Sequence, residues 1–496
     1  MADSRPNILF MLADDHACQA IGAYGSVVNK TPNLDRIARD GAAFDQSFCC
    51  NSICSPSRAS ILTGKHSHVN GQLAWEEFDG SQTTYPKLLQ ATGYNTAIVG
   101  KWHLKSAPTG FDYWEVLTGQ GHYYNPDYRT PDGTARREGY TPDISTDLML
   151  KWLDSGRDPD KPFAAMCHFK APHRPWAPAP RFFDLFADHD IPVPDTVSDD
   201  YKNRSIVLRQ NKMQVNRDFY WEFDLKVKDP GPNRHRFMPD AWSIGPRMYE
   251  EARMTPGQRE TWLAWNERRN GDISTRKYGD EELSRWALQR YLKDYLRCIA
   301  AIDDNVGRLL DYLDRTGLAE NTLVVYCSDQ GFYLGEHGWF DKRWMFEESM
   351  WMPLLMRWPG QIEPGTRYQQ LVQNIDYAPF LLEVAGLETP DEMHGTSIMP
   401  IIKDGDDIHD SLYYHYYDHG GHGVPRHDGV RTDRYKLIHF YSVGEFNLFD
   451  LAQDPQEMNS VHENPAYTKV LADMTKLYYE LRDRFDVPDE YGPDSA

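Results

Sequence analysis

The chain of 496 residues is too long for one small core and leaves room for a large domain with an appendage. Its 53 Lys and Arg against 74 Asp and Glu give a formal charge of −21, which opposes non-specific attraction to nucleic acid or to anionic membranes. No stretch reaches the roughly eighteen apolar residues of a membrane span, and seven scattered cysteines do not make a dense disulfide scaffold.

In chain order, the apolar run at 7–12 is too short for the core of a secretion signal with its own cleavage site, and acids follow at once. As given, the chain reads as cytoplasmic, or as periplasmic or secreted if a leader has been trimmed. Further short apolar runs at 95–99, 163–169 and 323–327 alternate with helical patterns, which predicts a mostly parallel sheet covered by helices on both faces. Leu288, Leu292, Tyr295, Ile299, Ile302, Val306, Leu309 and Leu313 recur every three or four residues, so one long amphipathic helix leads into the 323–327 strand. Residues from about 188 to 280 are rich in charge, Pro and Trp (Trp221, Trp242, Trp262, Trp265) without a sustained period. They read as an insertion, either a binding loop near the active face or a solvated decoration. After Pro400, alternating aromatic and polar residues predict a small antiparallel sheet and a closing helix near 467–485.

Chemistry-bearing residues gather where predicted strands end. Asp14 and Asp15 follow the first strand, and Asp329 and Gln330 follow the strand ending at Cys327, so two strand ends can deliver an all-oxygen cage suited to a hard cation such as Ca²⁺ or Mg²⁺. Lys101 and His103 follow another strand, His173 another, and Lys342 comes soon after Asp329. Taken singly, each Asp is more often a cap or turn residue, and each Lys or His a solvated or satisfied side chain. Their joint placement after strand ends, together with Arg58, points instead to a site.

The stretch Cys54-Ser55-Pro56-Ser57-Arg58, continuing to Thr63-Gly64, resembles the signature of the type I sulfatases, formylglycine-dependent enzymes of the alkaline-phosphatase-like superfamily. Residues 93–103 resemble that family's second signature, and Asp14-Asp15, Ser328-Asp329-Gln330-Gly331 and Lys342 follow in the family's order. Leu448-Phe449-Asp450-Leu451 with Asp454-Pro455 resembles its C-terminal region, so the likeness spans nearly the whole chain. The resemblance implies an α/β fold: a large mixed, mostly parallel sheet sandwiched by helices in a catalytic domain over 1–400, and a smaller antiparallel subdomain over 401–496. It implies that a formylglycine-generating enzyme converts Cys54 to formylglycine, and that one divalent ion, Ca²⁺ by preference, binds Asp14, Asp15, Asp329, Gln330 and the modified Cys54. Gln330 departs from the Asn or His often found there, but it keeps an oxygen donor on a longer arm. By the same likeness Arg58 and His103 hold the hydrated aldehyde, Lys101 and Lys342 neutralise sulfate oxygens, and His173 protonates the leaving alcohol.

Segments around Trp114, His122-Tyr123-Tyr124 and His337-Gly338-Trp339 resemble the branch acting on sulfated sugars, such as N-acetylglucosamine-6-sulfatases. The expected reaction is release of inorganic sulfate from terminal sulfated sugars, with Lys101, His173, Lys342, His122 and His427 contacting substrate. His415, His419, His422 and His427 form either the wall of an outer pocket or a solvated His-rich turn. An aryl- or alkylsulfatase, a phosphonate or phosphate ester hydrolase, and a non-catalytic binder of sulfated glycans remain as alternatives.

Overall fold

The computed structural model describes residues 5–238, 249–418 and 420–489; Trp242 and His419 lie outside the described residues. Its strands in chain order are β1 (Asn7–Ala13), β2 (Ala42–Phe48), β3 (Asn95–Gly100), β4 (Tyr113–Leu117), β5 (Asp127–Thr130), β6 (Gly133–Arg136), β7 (Phe163–His168) and β8 (Thr322–Ser328). There follow β9 (Tyr333–Leu334), β10 (Phe340–Asp341), β11 (Leu354–Arg357), β12 (Thr366–Gln373), β13 (Ser411–Tyr416), β14 (His427–Thr432), β15 (Tyr435–Phe440) and β16 (Glu445–Asp450).

Ten strands form one sheet in the order β12-β2-β11-β8-β1-β7-β3-β4-β5-β6. The centre, β8-β1-β7-β3-β4, is parallel throughout, whereas β11 runs against both its neighbours and β5 and β6 close the far edge antiparallel. Every residue of β1, β7 and β8 is buried, which is why these strands read as unbroken apolar runs: a central parallel strand meets helices on both faces. The fold is thus the mixed, mostly parallel α/β sheet expected.

The long helix spans Asp280–Thr316, with Asp280, Glu281 and Glu282 in its first turn and Gly317 in the left-handed conformation at its C-cap. Acids at the positive end of the helix dipole and a glycine past its last turn set those limits. The helix Cys54–Thr63 is different, since all ten of its residues are buried although they include Ser55, Ser57, Arg58 and Ser60. A polar helix is tolerated inside only if its side chains find partners. Ser57 Oγ donates to the Asp329 carbonyl, and the Thr63 hydroxyl donates to Ala59 O at 2.8 Å.

Within the 188–280 segment the helix Pro256–Asn270 forms, which the sequence pattern did not suggest. It buries only Trp262, Trp265 and Asn266, so it lacks an apolar stripe, and it is set instead by a capping box between Thr255 and Gln258 with proline at its start. The segment packs on the loops past β8: Val215 N donates to Gly338 O at 2.9 Å and Phe340 N to Met213 O at 2.8 Å.

The small sheet β13-β14-β15-β16 is antiparallel. Tyr413, Val430, Leu437 and Leu448 face the helix Thr468–Arg484, while Leu412, Tyr414, Tyr416, Ile438 and Phe440 face the core of the large sheet. The alternation seen in the sequence is that of a sheet buried on both sides. Among the described residues no helix is long and apolar enough to cross a membrane.

Candidate active site

The parallel strands β3, β7, β1 and β8 end at one edge of the sheet, where open α/β sheets place their ligands. Ala13 of β1 is in register with Ser328 of β8, so the next residues, Asp14 and Asp329, leave the sheet at one level. Asp15 has φ 71°, a left-handed conformation unusual for a residue with a Cβ. Tyr295 braces it: its hydroxyl donates to Asp15 O at 2.7 Å and accepts from Ala17 N at 2.8 Å. On β3, Gly100 has φ 101° and a Cβ there would stand 1.9 Å from His168 O, so only glycine lets the chain turn and send Lys101 inward.

Around Cys54, the first residue of its helix, the structure gathers nearly every residue the sequence singled out. Lys342 Nζ lies 3.5 Å from the thiol and 2.5 and 2.7 Å from the two Asp15 oxygens. Gln330 Nε2 lies 3.7 Å from the thiol and also donates to Asp15. Lys101 Nζ pairs with Asp14 and donates to Gln120 Oε1 at 2.6 Å. Arg58 Nε donates to Asp329 Oδ2 at 2.9 Å and its Nη1 to Lys101 O at 2.7 Å. His173 Nδ1 donates to Arg174 O at 2.6 Å, which fixes its tautomer, and Nε2 faces Asp15 at 3.8 Å. His103, at φ 58°, is anchored by Ser55, whose hydroxyl donates to its carbonyl at 2.7 Å and sits 3.3 Å from its Nδ1.

The electrostatics are those of a crowded buried cluster. Burial would raise Asp14, but the ammonium of Lys101, with His173, Arg58 and Lys342, holds it well below the usual carboxylate range. Asp15 is pushed up to about 6 and Asp329 to about 7, first by burial and then by the neighbouring carboxylates against the cations nearby. Burial, reinforced by Asp14, pushes the Cys54 thiol up to about 12, so as a plain thiol it is un-ionised at neutral pH and a poor nucleophile. Oxygens of Asp14, Asp15 and Asp329 lie within 4.8 Å of one another. Asp14 Oδ1 and Gln330 Oε1 are buried without a hydrogen-bond partner. Four oxygen-bearing side chains, two with unused buried acceptors, match a hard divalent cation, and a half-turn of the Gln330 amide presents its oxygen to the same point.

Sequence reasoning passed over two residues beside the cluster. Asp341 (φ 77°) and Arg343 (φ 97°) flank Lys342, both buried, and Arg343 leaves Nε and Nη1 without a partner. Their signal was a run of charges set between Trp339-Phe340 and Trp344-Met345-Phe346, since charges so flanked are carried into the interior. His422 Nε2 stands 3.7 Å from Asp341, and a cavity of about 300 Å³ opens there between Arg174, Lys212, Tyr220, Phe223 and His422. Lys212, Tyr220 and Phe223 of the 188–280 segment line this cavity beside Asp341.

One expected substrate contact is placed otherwise. His427 is fully buried in β14, with Nε2 accepting from Met345 N at 3.1 Å, Nδ1 on Pro425 O at 2.9 Å, and its ring against Trp344. With both nitrogens engaged behind a tryptophan it has nothing to offer a ligand, and His415 is likewise buried, so only His422 of the described histidines in this region stands by the cavity. His122 is partly exposed, with Nδ1 3.6 Å from Glu250, a carboxylate that also accepts from Tyr123 N and Tyr124 N. It is turned toward that loop clamp.

The sulfatase profile matches residues 6–387, more than three quarters of the chain, and the profile of the C-terminal region of N-sulphoglucosamine sulphohydrolase matches residues 335–484. The chain belongs to the sulfatase family. This sulfatase is 41% identical over 501 residues to an N-acetylglucosamine-6-O-sulfatase of Bacteroides thetaiotaomicron, covering 98% of the chain and 88% of the relative. It is 28% identical to the human N-acetylglucosamine-6-sulfatase over 80% of the chain and 64% of that protein. A solved structure of a protein bound to its substrate D-glucosamine-2-N,6-O-disulfate superposes with a TM-score of 0.90 at 40% identity, covering 98% and 99% of the two chains. The phosphonate monoester hydrolase of Agrobacterium radiobacter, at 19% identity and a TM-score of 0.67 over 97% and 96% of the two chains, shares the fold alone. The protein is an enzyme that hydrolyses sulfate esters, of the carbohydrate sulfatase kind.

Proposed function

We propose that this sulfatase removes the 6-O-sulfate from terminal glucosamine residues, N-acetylated or N-sulfated, of sulfated glycans. The names and substrate of the relatives at 40–41% identity support the sugar and the position. The observation that carries the chemistry is Cys54 held at a helix start 3.5 Å from a lysine and beside three clustered carboxylates. As formylglycine hydrate, residue 54 supplies a hydroxyl to take the sulfuryl group and a second hydroxyl whose deprotonation releases it. Asp14, Asp15, Asp329 and Gln330 would hold a divalent ion, Ca²⁺ by their all-oxygen donors, and that ion would supply Lewis-acid stabilisation of an ionised hydroxyl.

The other residues position and discharge. Lys101 and Lys342 neutralise sulfate oxygens as charge spreads over them. Arg58 is fixed on Asp329 and Lys101 O, and its Nη2, 4.0 Å from Asp14 Oδ1 and without a hydrogen-bond partner, is free to donate to the hydrate. His173 holds Nε2 toward the site, where it can pass a proton to the departing alcohol. Arg343 and Asp341, buried beside Lys342, offer donors and acceptors to sugar hydroxyls, and the cavity reached past His422 is of a size suited to one or two sugar rings. Such a cavity favours action at chain ends.

The test pairs peptide mass spectrometry at Cys54 with turnover of glucosamine 6-sulfates, a 4-O-sulfated galactosamine, 4-nitrophenyl sulfate and its phosphate. Formylglycine at position 54 and preferential release from the 6-sulfates are expected. An unmodified thiol in fully active enzyme, or faster phosphate release, would overturn the reading.

A further inference from the structure

A second cavity, of about 620 Å³, opens between the helices Pro256–Asn270 and Asp280–Thr316 and residues 183–190. On the long helix, Trp286, Gln289, Arg290, Lys293 and Arg297 line it at three- and four-residue spacing, on the face opposite Tyr291 and Tyr295, which turn to the loops past β8 and β1. This cavity and the catalytic cluster therefore lie on opposite sides of one helix.

Its charge is unusual for a chain of net charge −21. Arg269, Arg297 and Lys226 all converge on one buried carboxylate, Asp294, with Arg269 Nη2 at 2.8 Å, Arg297 Nη1 at 3.0 Å and Lys226 Nζ at 3.3 Å. Arg290, 6% exposed, bonds only neutral acceptors: Leu225 O, Arg269 O, Asn266 Oδ1 and Asn270 Oδ1. Three cations thus meet one buried carboxylate with Arg290 beside them, and although Asp184 and Glu282 also line the cavity, Glu282 is paired with Arg276 at 2.6 Å, so the inner wall keeps an excess of positive charge that favours a further anion. At the rim Arg285 and Lys293 share Asp190 at 3.3 and 3.6 Å, and Arg268 forms no ion pair among the described residues. Half-buried Trp286, Tyr278 and Phe186 add flat apolar faces of the kind that stack on sugar rings.

We infer that this cavity is an accessory site that binds a sulfate-bearing sugar unit of the glycan away from the catalytic centre. Guanidinium forks match sulfate oxygens as they match carboxylates, and the aromatic walls distinguish a sugar sulfate from the free ion. The inference rests on the reading of sulfated glycans as the substrate class, but not on the position attacked.

The test uses the double variant Arg268→Glu/Lys293→Glu, with each single change made alongside and folding checked by thermal melting. Both positions reach solvent and neither belongs to the catalytic cluster. The expected result is a rise of about tenfold in KM for a heparin-type octasaccharide bearing terminal glucosamine 6-sulfate, with KM for the monosaccharide moved less than twofold. Calorimetry on the Cys54→Ala protein should show one octasaccharide bound across both sites, about tenfold more weakly in the double variant. Equal octasaccharide affinity in the two proteins, an equal shift of both KM values, or inorganic sulfate displacing the octasaccharide at equal concentration would overturn the inference. Absence of turnover on every sulfated sugar with the second site intact would count against the catalytic reading alone.

Discussion

Two buried charge clusters in this protein are built from the same residue types and end differently. In the small sheet, Asp428 is fully buried and both oxygens are used: Tyr413 OH and Arg482 Nη1 donate to Oδ2 at 2.9 and 2.7 Å, and Tyr478 OH reaches Oδ1 at 3.0 Å. Burial pushes its carboxyl up, yet His439, His415 and Arg482 bring it below the usual range. At the catalytic edge, Asp14 Oδ1, Arg58 Nη2 and Gln330 Oε1 are buried without a hydrogen-bond partner, the first two meeting only as an ion pair at 4.0 Å, and Asp15 and Asp329 are pushed up to about 6 and 7. A completed network holds a fold together, whereas an incomplete one is kept for what binds it.

Substitutions in the two clusters should therefore separate activity from stability. The largest effect is expected from Cys54→Ala, which should lower sulfate release by about 10⁴-fold or more while leaving the melting temperature nearly unchanged. Turnover close to wild type in that variant would remove residue 54 from the mechanism. Chelation should follow, with activity down about 10³-fold and restored by Ca²⁺, and with Ca²⁺ raising the melting temperature of the chelated protein. The converse is predicted for Asp428→Asn: a loss of roughly 3–5 kcal/mol in urea unfolding with kcat unchanged in the protein that remains folded. A fall in kcat without destabilisation would contradict the comparison.

Acid should weaken the small sheet through its buried histidines. His427, pushed down to about 4 by burial, stays neutral in the folded protein while its unfolded counterpart takes up a proton near 6.5. Its contribution is thus fully present above about pH 6.5 and falls away as pH drops toward 4, by an amount on the order of 3 kcal/mol. Urea midpoints for Cys54→Ala between pH 7 and 4 check this, and His427→Gln should flatten the slope. The smallest effect is expected from His173→Ala, about 10²-fold in kcat and larger for alkyl than for aryl leaving groups, which need less proton assistance. An equal loss on both would deny His173 that role.

Much of this was legible in the sequence because parallel strands end where ligands bind: Asp14, Lys101, His173 and Asp329 each follow an apolar run, and their convergence needs only the sheet. The long helix was legible too, through its three-and-four spacing. The helix Pro256–Asn270 was not, since capping rather than an apolar stripe defines it. Burial of His427 was hidden because a histidine in an aromatic-polar alternation looks alike whether its outer face meets solvent or a second core. Asp341 and Arg343 were passed over because their role depends on a tight turn around Lys342. The basic cavity draws on separated segments, and only the folded chain brings Lys226 and Arg269 to Asp294.

Cys54 is 2% exposed, on a helix with no residue at the surface. Any enzyme that rewrites this side chain must reach it while the segment is still extended, before the sheet closes over it. The moment of folding is then also the moment at which each molecule becomes a working catalyst or an inert one, and no later repair can change the outcome without taking the protein apart.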